Sequence, residues 1–70
     1  METRRVCERV EIKDDNTAIA ILEVDNIKNK TTTFVTEYPR QKPNGEQDWD
    51  AQDAAFENNK NRARIAGFHI

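Results

Sequence analysis

From Arg5 to Lys13 the chain alternates. Val6, Val10 and Ile12 share one parity, broken only by Glu8, while Arg5, Arg9, Glu11 and Lys13 fall on the other. A period of two is the signature of a half-buried strand. Asp14-Asp15-Asn16 follows, a cluster that bonds to its own main chain and tolerates left-handed backbone, so a hairpin turn is expected there. Thr17 to Val24 is apolar on both parities: Ala18, Ala20, Leu22 and Val24 on one, Ile19 and Ile21 on the other. That pattern marks a strand at the centre of a sheet, with both faces at least partly covered. Asp25 to Lys30 is polar except for Ile27 and forms a second turn. The run Thr31-Thr32-Thr33-Phe34-Val35-Thr36-Glu37-Tyr38, β-branched and aromatic, forms a third strand.

Pro39 to Gln47 cannot continue a sheet, because proline lacks a ladder donor and Asn44-Gly45 favours a tight turn. Asp48 or Asp50 can cap a helix that carries Asp50, Asp53 and Glu57 early and Lys60, Arg62 and Arg64 late, the polarity that complements a helix dipole. Trp49, Phe56 and Ala63 recur every seven residues, with Ala55 and Ala66 nearby, and predict a stripe that docks on the sheet. Gly67 is the expected stop.

The fold class that results is α+β: a three-stranded antiparallel β-meander followed by one C-terminal amphipathic helix (βββα). The expected strands are 5–13, 17–24 and 31–38, the loop 39–47, the helix about 49–66 and the tail 67–70, in one small domain of residues 1–70. The strand register stays open. A two-residue first turn sets Glu8 opposite Glu23; a three-residue turn avoids that like-charge pair and sets Val6 opposite Val24. One helix covers one face of a sheet, so apolar surface is left over in either register, to be met by the tail Phe68-His69-Ile70 or by a second copy of the chain.

Composition sharpens this picture. Hydrophobic residues make up 36% and charged residues 34%, yet sixteen large apolar side chains remain for a core, which argues against disorder. The apolar run Ala18 to Leu22 is far short of a membrane span, and Met1 to Glu8 contains no apolar signal region. A single cysteine fits a reducing compartment. The expectation is a complete small cytoplasmic protein, of a size that suits an accessory protein of a bacterium or phage.

Candidate chemistry is sparse. The chain has no serine, and the one thiol, Cys7, is sixty-two positions from the one histidine, His69. Asp48, Asp50 and Asp53 suggest a calcium loop, but Asp53 and Asn59 stand where its glycine and closing glutamate would have to be. No enzyme activity, metal, cofactor, membrane partner or small-molecule substrate is expected.

Two surfaces could bind a partner. Tyr38, Arg40, Lys42 and Trp49 bring together the residue types enriched at interface hot spots, and Ile19 and Ile21 offer apolar area on the sheet; against this, Tyr38 and Trp49 could simply close the core. The second surface is basic: Arg5, Arg9 and Lys13 on one parity of the first strand, with Lys28 and Lys30 in the second turn. A βββα order with a basic sheet resembles, in architecture alone, the small DNA-binding domains at the N-termini of some phage-type integrases, which lay a three-stranded sheet in the major groove. Glu11 and Glu23 lie among these cations, and the net charge of −2 disfavours nucleic acid. The functional expectation is therefore a non-catalytic interaction or regulatory protein that binds a protein partner, self-associating through the sheet face; the alternative is a nucleic-acid accessory factor.

Overall fold

The structure, a computed structural model, describes residues 3–26 and 30–70. It is a βββα fold: β1 (Thr3–Ile12), β2 (Thr17–Asn26), β3 (Thr31–Pro39) and α1 (Trp49–Ile65), with the strands antiparallel in the order β1-β2-β3. The first hairpin takes the three-residue turn. Lys13 N–H donates to the Thr17 carbonyl, and Val6 stands opposite Val24 and Glu8 opposite Leu22, so Glu8 and Glu23 are kept off the same rung. An Asp14 carboxylate that accepts from the Asn16 N–H closes the turn at 2.9 Å. The Asp14 carboxyl is held below its ordinary range by that bond first, and then by Thr17.

The register assigns the two faces. Ala18, Ala20, Leu22 and Val24 of β2 lie on the inner face with Val6, Glu8, Val10 and Ile12 of β1 and with Thr32, Phe34, Thr36 and Tyr38 of β3. Helix α1 packs on that face over β2 and β3. Asp48 is the N-cap, accepting from the Ala51 N–H at 3.0 Å. At the other end, Phe68 N–H reaches the Ala63 carbonyl and Gly67 N–H the Arg64 carbonyl, with Gly67 at φ +102. This is the Schellman arrangement, in which a left-handed residue lets the chain turn back and a hydrophobic contact forms across the stop. Here that contact joins Phe68 to Ala63, and it delivers the tail onto Leu22 and Val24.

The docking stripe keeps Ala55, Ala63 and a half-buried Phe56 from the expected one and departs from it at Trp49 and Ala66. The buried helix positions are Ala55, Asn59 and Ala63, whereas Trp49 is 59% exposed and Ala66 also faces solvent. Trp49 is the first residue of the helix, and along the rest of it the sheet selects small side chains four apart, which let the backbones approach closely. Asn59 sits between two small apolar clusters. One comprises Ala18, Ala20, Tyr38 and Ala55; the other, Leu22, Val24, Ala63 and Phe68. It is fully buried and fully satisfied: its amide donates to the Ala20 carbonyl at 2.9 Å, and its oxygen accepts from the Thr36 hydroxyl at 2.6 Å. In the second cluster the Phe34 and Phe68 rings meet edge to face at 6.1 Å.

The loop after β3 is built rather than loose. Gly45 N–H donates to the Lys42 carbonyl and Lys42 N–H to the Glu46 carbonyl, a turn with Pro43 and Asn44 at its centre and Gly45 at φ +87. Gln41 and Gln47 form an isolated bridge across it. Arg40 ties the loop to both neighbours, since its N–H reaches the Asn16 carbonyl and its own carbonyl accepts from Asp48.

Candidate interaction surface

Because α1 sits over β2 and β3, the inner face of β1 is left without a cover. Val6, Val10 and Ile12 are 46%, 38% and 57% exposed, a row of three β-branched side chains along an edge strand. Glu8, the polar interruption in that row, faces Lys60 of the helix at 3.6 Å. The interruption thus has a structural role, joining the uncovered strand to the helix flank.

The outer face is different. Ile21, apolar on the second parity of β2, is only 5% exposed between its cross-strand neighbours Arg9 and Val35. Long cationic side chains cover apolar surface with their stems while their heads stay wet. Arg9 pairs with Glu23 and, at 3.4 Å, with Glu11; Lys13 pairs with Glu37 at 2.8 Å. Hydrogen bonds from Arg9 to Glu23 and from Lys13 to Glu37 lead the causes that raise the pKa of both cations. Ile19, between Glu11 and Glu37, is half-buried. The surplus apolar area of the sheet therefore lies in the row on the inner face of β1 and, singly, in Val35 on the outer face of β3, which is 47% exposed, and not on the outer face of β2.

The residues expected to bind separate into distinct places. Tyr38 is buried in the core, its hydroxyl donating to Gln52 at 3.2 Å, and burial raises its phenol pKa against the opposing charge of Arg40. Trp49 and Lys42 are exposed, and Arg40 is half-buried with its guanidinium 3.4 Å from the Asp15 carbonyl. Of the basic set, Arg9 and Lys13 are matched by carboxylates, Lys30 is exposed at the start of β3, and Lys28 and the side chain of Arg5 lie outside the described residues, as does Ile27. The described outer face carries Glu11, Glu23, Asp25 and Glu37 against Arg9 and Lys13, so its charge is mixed.

Sequence reasoning misses the exposed strip as a surface, assigning Val6, Val10 and Ile12 to the core. The signal available is the width of one helix, about 10 Å across with its side chains against three strands spaced about 4.8 Å apart. One helix leaves one strand bare.

Among the described residues, little else has the makings of a site. Cys7 is exposed on the outer face of β1, whereas the tail carrying His69 lies on the inner side. A shallow depression of about 270 Å³ between β3 and the start of α1 is lined by Tyr38, Pro39 and the Ala51, Ala54 and Ala55 methyls, with Thr36 and Glu37 at its rim. Among the described residues no group of three or more His, Cys, Asp or Glu is placed to hold a metal ion, and no helix is long and apolar enough to cross a membrane. No protein-family model, curated protein or solved structure matches the chain.

Proposed function

We propose that the chain is a non-catalytic interaction or regulatory protein that works by protein–protein binding and associates with a second copy of itself through the sheet. The observation that carries this reading is the uncovered row Val6, Val10 and Ile12 on an edge strand, where the inner-face residues of the covered strand β2 are buried. Contiguous apolar area at the rim of a small domain is costly to leave in water, and a matching copy is the simplest cover for it. The nucleic-acid reading draws less support, because Arg9 and Lys13 already face carboxylates.

Size-exclusion chromatography with light scattering, carried to high micromolar concentration, tests the reading. A mass of two chains that reverts toward one in Val10→Lys supports it. A strict monomer at every concentration removes the self-association, and a dimer insensitive to Val10→Lys removes the β1 surface.

A further inference from the structure

The two edges of the sheet are not equivalent. Lys13 N–H points to Thr17 and Arg40 N–H to Asn16, which fixes the alternation of the ladders: odd-numbered residues of β1 bond to β2, and even-numbered residues of β3 bond to β2. The odd residues of β3 therefore face its open edge, and there the Val35 carbonyl is taken by Arg62 at 2.7 Å and Pro39 has no N–H to offer. Edges are commonly blunted in this way. On β1 the outward groups belong to Val6, Glu8, Val10 and Ile12, and β1 has β2 as its one strand neighbour among the described residues.

We infer that β1 pairs antiparallel with β1 of a second copy, centred on Val10 against Val10, to make one six-stranded sheet; this rests on the self-association proposed above. Two-fold antiparallel pairing keeps the faces of the two sheets aligned, so only registers that set even residues opposite even ones are open. Charge selects among these. A centre on Cys7 sets Arg5 opposite Arg9; centres on Glu8, Arg9 or Glu11 set each of those opposite itself. A centre on Ile12 leaves only Ile12 paired within both strands, and one on Val6 runs through the register break between Thr3 and Arg5. The Val10 centre sets Arg9 opposite Glu11 of the copy twice over, and Cys7 opposite Lys13.

The backbone agrees with that choice. Glu8, Val10 and Ile12 carry the outward N–H and carbonyl groups, so Val10 exchanges two bonds with Val10 of the copy and Glu8 two with Ile12, on each side of the axis. Arg9 and Glu11 then occupy the intervening non-bonded rungs, where side chains approach closest. Both helices fall on the same side, Val10 packs beside Val10 of the copy and Ile12 beside Glu8, and the two bare strips become one trench walled by the helices.

Charge exchange across the axis is the test. Arg9→Glu alone sets the introduced carboxylate against Glu11 of the copy, besides Glu11 and Glu23 of its own chain, and Glu11→Arg alone sets the introduced guanidinium against Arg9; each should weaken self-association about tenfold, with folding of each variant checked by circular dichroism. Mixed together, the two variants pair acid to base on both rungs, and native mass spectrometry should find the heterodimer in excess of either homodimer. Amide exchange on the wild-type chain is independent of any variant: the Glu8, Val10 and Ile12 N–H groups should gain protection as concentration rises. A wild-type dimer in which these amides exchange freely, or whose variants show no preference for each other, overturns the register while leaving self-association standing. A wild-type monomer overturns both.

Discussion

Asn59 is the residue on which the helix–sheet contact turns, and replacing it by leucine isolates its contribution. Leucine keeps the volume between the two apolar clusters but removes the donor to the Ala20 carbonyl and the acceptor for the Thr36 hydroxyl. Each such bond contributes about 1 kcal/mol net, and a hydroxyl stranded in a part-buried site costs about 1 kcal/mol more, so Asn59→Leu should destabilise by about 2–3 kcal/mol. A chain of this length holds roughly 4–10 kcal/mol in total, so the loss is large, and it corresponds to a fall of roughly 10–20 °C in melting temperature. Urea melts followed by circular dichroism give the value. Adding Thr36→Val removes the stranded hydroxyl, and the pair should recover about 1 kcal/mol relative to Asn59→Leu alone. Asn58, which also donates to the Thr36 hydroxyl at 3.0 Å, is exposed and can turn to water. An Asn59→Leu chain within about 0.5 kcal/mol of wild type, or a double variant whose cost is the plain sum of two losses, would refute the clasp.

Other consequences can be checked in the same melts. Gly67→Ala meets no atom within 4 Å of its new methyl, so its cost is backbone strain alone at φ +102; about 1–2 kcal/mol is expected, and a neutral result would remove the Schellman stop. Phe68→Ala takes a buried ring from against Phe34 and Leu22 and should cost about 3–5 kcal/mol, detectable also as loss of near-ultraviolet dichroism; a cost under about 1 kcal/mol would mean that the tail does not seal the core. The Asp14 carboxyl titrates below its ordinary range in the fold. Its contribution is therefore present above the unfolded value of about 3.9 and is lost as pH falls through the lower folded value. Asp14→Ala should lower stability at neutral pH and shrink the acid-side decline, and an unchanged acid profile would contradict the turn geometry.

The strands are legible because parity survives in them. β1 and β3 each carry most of their apolar residues on the inner parity, and the like-charge conflict between Glu8 and Glu23 foreshadows the register that the three-residue turn adopts. The helix is legible in its ends and not in its face. Asp48 and Gly67 act through local backbone bonds that sequence displays, but the docking stripe is made of Ala51, Ala55, Asn59 and Ala63, with Phe56 half-buried at its flank as its one strongly apolar member. A stripe of small residues around one buried amide has almost no hydrophobic signature, and Trp49 at the helix start points to the wrong side. Ile21 misleads in the opposite sense: its burial comes from Arg9 and Val35 beside it in the sheet, which no pattern of apolar positions reveals. The uncovered strip on β1 emerges only from the placement of the helix over β2 and β3, because Val6, Val10 and Ile12 have the same pattern as a buried strand.

The claim that β1, bare on its inner face and at its edge, associates with a second copy of the chain is tested most directly by small-angle X-ray scattering of the wild-type protein over a concentration series. The account predicts forward scattering that rises to the mass of two chains, with a radius of gyration well above the 13.4 Å of one Cα trace. Scattering that holds at the mass and dimensions of a single chain up to high micromolar concentration would contradict it.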